Sequence, residues 1–278
     1  PKGQAKKSNS RQSDQNWGKE IQNEEYWNNR YKDDANKTDG NFEWYLNYDS
    51  IAGLLSNIVG KNGSVLEVGC GNSNLGIDMI NDEFQNVTCI DFSGECIVQQ
   101  LAKHEGVKKI KFLKMDATNM KGIEQETFDC VIDKATLDAL LSGNLDSAKK
   151  LVMEMSRVLK NKGSNVIISN VSPSSTMGQQ MLHEIIVDNL DWHDSQWTID
   201  IHSFTGDENE DDQENDTEDN SYPHVYCLKK YLRPNTRLQI AAVALVGRRK
   251  RKRSNIAKEE LDQNLKRRKN VIIKQHFH

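Results

Sequence analysis

Four times in succession a short apolar run ends in glycine or aspartate and gives way to a helix-spaced segment. No other feature restricts the fold as much. Ser64–Val68 leads into Gly69-Cys70-Gly71, Val87–Ile90 into Asp91-Phe92, Ile110–Met115 into Asp116-Ala117, and Phe128–Ile132 into Asp133-Lys134. Strands that alternate with helices of this length predict an α/β fold: a mostly parallel sheet, buried on both faces by helices. The spacing predicts helices near 74–80, 94–104, 135–141 and 145–159. The last of these is expected to close on Lys160-Asn161-Lys162-Gly163, basic residues followed by a C-cap glycine. A fifth strand at Val166–Ser169, a helix near 176–189 and an antiparallel pair, Trp197–Ile201 with His224–Leu228, complete the expected sheet.

The flanks differ in character. Residues 1–18 are polar and aperiodic, a disordered lead-in. Tyr26, Trp27 and Tyr31 recur at helical spacing within 21–31, and an amphipathic helix is expected near 49–59. One domain is therefore placed at 19–232, with a basic, disordered extension at 233–278. The net charge of −4 hides an asymmetry: residues 248–278 carry +9, so the remainder carries −13. Nine acids fall within 207–219, which rules out a core element there and predicts a mobile loop. The five cysteines are scattered without a CxxC pair, so neither a zinc framework nor disulfides are expected, and buried thiols are. No metal site is expected. No apolar stretch is long enough to span a membrane and no signal-peptide core opens the chain, so no membrane partner is expected and the expected location is cytoplasmic.

In open α/β sheets the ligand sits beyond the carboxyl ends of the strands. Gly69 and Gly71 let backbone approach a ligand closely. The third glycine of the dinucleotide pattern would fall at position 74, which is Asn74, and this counts against a nicotinamide cofactor. Asp91, 22 residues beyond Gly69, is placed to accept both ribose hydroxyls of an adenosine, and Phe92 to pack on its adenine. Asp116 is the candidate acceptor for the adenine amine, with the backbone of Ala117 at the ring edge. Glu67 is the candidate partner for an ammonium group on the cofactor. Each has an ordinary alternative: a strand-end carboxylate, a core ring, a turn or cap residue, a strand residue facing a helix. Asp133 and Asp138 follow the fourth strand, where methyltransferases place groups facing the transferred methyl; both are candidates for orienting an amine nucleophile. The Asn/Asp-Pro-Pro-aromatic motif of adenine and glutamine methyltransferases is missing.

Tyr26-Trp27-Asn28-Asn29-Arg30-Tyr31, Phe42-Glu43-Trp44, Leu66-Glu67-Val68-Gly69-Cys70-Gly71-Asn72-Ser73 and Asp133-Lys134-Ala135-Thr136-Leu137-Asp138-Ala139-Leu140-Leu141 occur in this order. Together they resemble the motifs of the seven-strand lysine methyltransferases that modify translation elongation factor 1-alpha, and those of a mitochondrial citrate synthase lysine methyltransferase. The resemblance spans roughly 24–230. It implies a Rossmann-like seven-strand sheet, S-adenosyl-L-methionine as cofactor, and a protein lysine as substrate, with elongation factor 1-alpha the candidate. It also implies that Trp27, Tyr31 and Trp44 close over the cofactor, and that Gly69, Asp91, Phe92, Asp116, Ala117 and Lys134 contact it. Ala135 stands where the family usually has glycine, and Tyr45 where phenylalanine is commoner.

Arg248–Arg253 is six consecutive cations, and Lys266–Lys269 is a second cluster. Such runs act as nuclear-import signals or grip phosphate backbones, so a nuclear location and a nucleic-acid partner through 248–269 are the second expectations. Two rival functions follow: a nucleic-acid methyltransferase that uses the basic segment, and a cofactor-binding scaffold without turnover.

Overall fold

The computed structural model describes residues 20–37, 42–190, 195–204, 222–232 and 271–277. The lead-in at 1–18, the acidic 207–219 and the basic 248–269 lie outside these residues. Helices α1 (Glu24–Lys37) and α2 (Tyr48–Ile58) precede β1 (Ser64–Val68), α3 (Leu75–Asn81), β2 (Asn86–Asp91), α4 (Gly94–Lys103) and β3 (Ile110–Lys114). Next come β4 (Phe128–Lys134), α5 (Thr136–Leu141), α6 (Leu145–Val158) and β5 (Leu159–Ser169). Helix α7 (Thr176–Gln180) continues through a π turn at Met181–Ile186 and a 3-10 turn at Val187–Asn189; β6 (Ser195–Ser203), β7 (His224–Leu232) and β8 (Val271–Phe277) follow.

The strands form one sheet in the order β3-β2-β1-β4-β5-β7-β6-β8. β1 to β5 are parallel, and β7 runs antiparallel to both β5 and β6. The chain thus winds outward from β1 through β2 and β3, then restarts on the other side at β4. That reversal opens a crevice at the carboxyl ends of β1 and β4. The continuous apolar runs have their explanation here. Leu66 and Val68 of β1 join a core with Val131, Leu137, Leu151, Met155, Ile167 and Trp197. Val65 joins the opposite core with Ile51, Leu55, Met79, Phe84, Ile132 and Val166. A strand buried on both faces has no need of polar alternation.

Local chemistry sets the helix starts. Asn47 accepts the Ser50 N–H, Ser93 that of Cys96, Asn144 those of Asp146 and Ser147, and Ser175 that of Gly178. Ala135 precedes α5 with φ 71°, a left-handed conformation that explains the family's preference for glycine there.

Two boundaries differ from expectation. Lys160–Gly163 does not cap α6 but lies within β5, where pairing jumps from Phe128↔Leu159 to Cys130↔Ser164. Lys162 (φ 68°), not the glycine, makes the left-handed turn; a Cβ on Gly163 would lie 2.9 Å from the Asp129 carbonyl. A bulge of this kind leaves no periodic signal. The second difference lies at the chain's end. Val271–Phe277, expected in a disordered extension, adds an eighth strand parallel to β6 and pairs Trp197↔Val271 through Ser203↔Phe277. Its Val-Ile-Ile run was masked by the basic residues before it.

Register also locates the anchors of the two charged segments. Ser203 pairs with His224, which pairs with Ser169 at the carboxyl end of β5, so the described residues on either side of 205–221 lie at the crevice end. Leu232 pairs with Ser195, and Val271 with Trp197, so the described residues on either side of 233–270 lie at the opposite end. No helix among the described residues is long and apolar enough to cross a membrane.

Candidate active site

A cavity of about 270 Å³ occupies the crevice. Its floor is the turn after β1, where Gly69 (φ 61°) and Gly71 (φ 52°) take left-handed conformations. The glycines are also required by packing. A Cβ on Gly69 would fall inside the Thr136 side chain, and one on Gly71 would lie 2.9 Å from the Tyr31 hydroxyl.

The segment before β1 forms one wall. Trp27 and Tyr31, one helical turn apart on α1, stack with ring centres 5.8 Å apart. The Arg30 guanidinium lies 5.4, 5.5 and 5.1 Å from the rings of Trp27, Phe42 and Trp44, gathering them by cation–π attraction. Glu43 fastens this wall to the sheet: it pairs with Lys134 of β4 and accepts the Ser73 hydroxyl at 2.9 Å and the Asn74 N–H. Lys134 also donates to the Leu46 carbonyl at 3.4 Å. Asn28 accepts the Ser93 hydroxyl at 2.6 Å, joining α1 to the start of α4.

Trp27, Tyr31, Trp44, Glu67, Gly69, Gly71, Asp91, Phe92, Asp116, Ala117, Lys134 and Asp138 all line the cavity. Asp133 does not. Its side chain is fully buried beneath α5, accepting the N–H groups of Thr136 at 3.1 Å and Leu137 at 3.2 Å, so its carboxyl serves as a helix cap rather than a group facing substrate. Burial, and the neighbouring Asp138 charge, push it up to about 8.

The Asp91 carboxylate is held at the tip of β2. One oxygen accepts the Gly71 N–H at 3.0 Å and the other the Ser93 N–H at 2.8 Å. Each oxygen keeps a second lone pair, which suits a ribose diol. Burial raises Asp91 to about 6 against those two hydrogen bonds, and raises Glu67 to about 7 against the pull of Lys134. Asp116 is exposed and binds the Thr118 N–H and hydroxyl at 2.8 Å, an Asx turn beside Ala117. Asp138 projects from α5 into the far side of the cavity. It accepts Ser169 Oγ at 2.6 Å on Oδ1, and Tyr45 OH at 2.8 Å and the Asn170 N–H at 2.9 Å on Oδ2. Burial raises it above the ordinary carboxylate range.

Sequence reasoning had no role for Glu43, Tyr45 or Thr136. Glu43 sits within a motif that was visible, but its partners Ser73 and Lys134 are 30 and 91 residues away. Tyr45 adopts φ 63° to reach Asp138, and only the folded chain shows that.

A doubly wound sheet with a glycine-floored cavity, an acid at the tip of β2 and apolar walls defines an adenosine-cofactor enzyme of the methyltransferase kind. A family model described as "Methyltransferase domain" matches residues 60–223, and the chain belongs to that family. Its cofactor is S-adenosyl-L-methionine. The zebrafish (Danio rerio) protein named eEF1A lysine and N-terminal methyltransferase is 30% identical over 195 residues, 69% of this chain and 26% of its own length. The Mus musculus EEF1A lysine methyltransferase 4 is 29% identical over 159 residues, 54% of this chain and 61% of its own length. The chain therefore spans less than two thirds of either relative. A solved S-adenosylmethionine-dependent methyltransferase from Methanosarcina mazei aligns over 64% of this chain and 97% of its own at 15% identity, with a TM-score of 0.44.

Proposed function

We propose that the protein transfers a methyl group from S-adenosylmethionine to a lysine amine of a protein, with elongation factor 1-alpha the candidate substrate. The observation that carries this reading is Asp138, a carboxylate fixed by three donors at the cavity wall. The relatives' names support the substrate class. The bound cofactor supplies an electrophilic methyl on a sulfonium sulfur. Transfer to a neutral amine would leave the sulfur as a thioether and pass the amine's proton to water. A carboxylate offers about four lone-pair positions and Asp138 has three filled, which leaves one for an N–H of the incoming amine. That contact holds the nitrogen in line and favours its approach to a cationic centre. Asp91 would hold the ribose and Glu67 the ammonium, while Trp27, Tyr31 and Trp44 would exclude water from the reacting atoms.

Two measurements test this reading. Radiolabelled methyl donor is incubated with the protein and cell extract; label that survives nuclease and is lost to protease is expected, and label lost to nuclease would overturn the protein substrate. The Asp91→Ala variant is expected to bind S-adenosylhomocysteine about 1–3 kcal/mol more weakly, the scale of a hydrogen bond to a charged group. Unchanged affinity by calorimetry would remove Asp91 from the cofactor site.

A further inference from the structure

The turn that floors the cavity also carries a thiol. Cys70 from that turn, Asp91 from β2 and Cys96 from the first turn of α4 lie buried together, with Sγ, carboxylate oxygen and Sγ all within 4.8 Å of one another. The sequence separates them by 21 and 5 residues and gives no metal-ligand spacing. The nearby Cys89 thiol donates to Glu67 at 3.2 Å. Cys70 and Asp91 line the cavity, and the buried Cys96 completes the cluster from α4.

We propose that Cys70, Asp91 and Cys96 form a binding site for a soft divalent cation such as zinc, and that an ion there blocks the cofactor. Tetrahedral zinc with bonds of about 2.3 Å to sulfur and 2.0–2.2 Å to oxygen holds its ligand atoms about 3.6–3.8 Å apart. The cluster reaches that spacing by contracting its widest separations by about 1 Å, within reach of side-chain rotation. Two thiolates and a carboxylate select zinc or cadmium over magnesium or calcium. Binding releases one proton from each thiol, so affinity falls as pH falls. Three protein ligands would leave a fourth position for water. The ion claims the Asp91 lone pairs that the proposed ribose contact needs, and places charge beside the glycine turn. The competition rests on the proposed role of Asp91; the ion site does not.

The test uses the full chain, reduced with a non-coordinating phosphine, and cadmium chloride as probe. One cadmium per chain with a thiolate-to-metal ultraviolet absorption band is expected, together with at least a tenfold loss of S-adenosylhomocysteine affinity. Cys96→Ala is expected to lose the band and bind S-adenosylhomocysteine normally, which also shows that it folds; Cys96→Ser is the second variant, in case the alanine leaves a damaging cavity. Cys227→Ala, on β7 and outside the cluster, is expected to keep the band. No band in the wild-type protein, or a band that survives both Cys96 changes, overturns the site. A Cys96-dependent band with undiminished S-adenosylhomocysteine affinity overturns the competition, and the separate Asp91→Ala measurement then shows whether the ribose role has failed with it.

Discussion

Asp138→Asn is expected to lower kcat by about 10²- to 10⁴-fold, the usual contribution of a positioned acid or base. S-adenosylhomocysteine affinity should change little, because Asp91 and the glycine turn are untouched. The physical reason lies in the donors. Ser169 Oγ, Tyr45 OH and the Asn170 N–H all donate to Asp138. An asparagine presents an NH₂ to one of them and loses the negative charge that draws the amine. A purely structural role would instead lower stability and cofactor affinity together, and that outcome in stopped-assay and calorimetric measurements would remove Asp138 from the reaction. Protonated Asp138 cannot accept the amine, so kcat should fall on the acid side of a pH profile. Burial already raises this carboxyl, and the Tyr45 hydrogen bond pulls it back. Tyr45→Phe should therefore move the acid limb to higher pH.

The second large effect concerns stability. The folded chain without cofactor should weaken as pH rises from about 4 to above 8 in urea titrations. Asp133 is raised to about 8, Glu67 to about 7 and Asp91 to about 6, each chiefly by burial. A carboxyl whose folded value exceeds its unfolded value binds its proton more tightly when folded. Its contribution is full below the unfolded value near 4 and is lost as pH climbs through the folded value. Each unit is worth about 1.4 kcal/mol, so Asp133 alone carries on the order of several kcal/mol across that window. Asp133→Asn keeps an acceptor for the α5 N–H groups and cannot ionise, so its stability should be flatter between pH 7 and 8.5. A variant with the wild-type slope would show that Asp133 is not buried as described.

Much of the frame was legible beforehand. The apolar runs at 64–68 and 128–132 read as doubly buried strands: Val65 and Leu66 face opposite cores, as do Val131 and Ile132. Asp91 and the glycines stood out because the ends of parallel strands are where ligands bind. Asp133 looked equivalent to Asp138 by position, yet it faces the buried start of α5 while Asp138, five residues on, faces the cavity. Nothing in residue type separates two aspartates of which one ends a strand and the other lies on the following helix. The strand β8 was hidden for a related reason: strands are recruited by partners, and β6 is over sixty residues away.

The repeated strand-end glycine and aspartates determined the doubly wound sheet and the place of the cofactor, because hydrophobic period and backbone freedom are properties of neighbouring residues. Tertiary structure alone decided which carboxylate faces the cavity, how Glu43 locks the aromatic wall to Lys134, and that Cys70 and Cys96 meet Asp91. Those pairings join residues that are distant along the chain or on different elements, and only the packing of one element on another fixes the direction in which each side chain points.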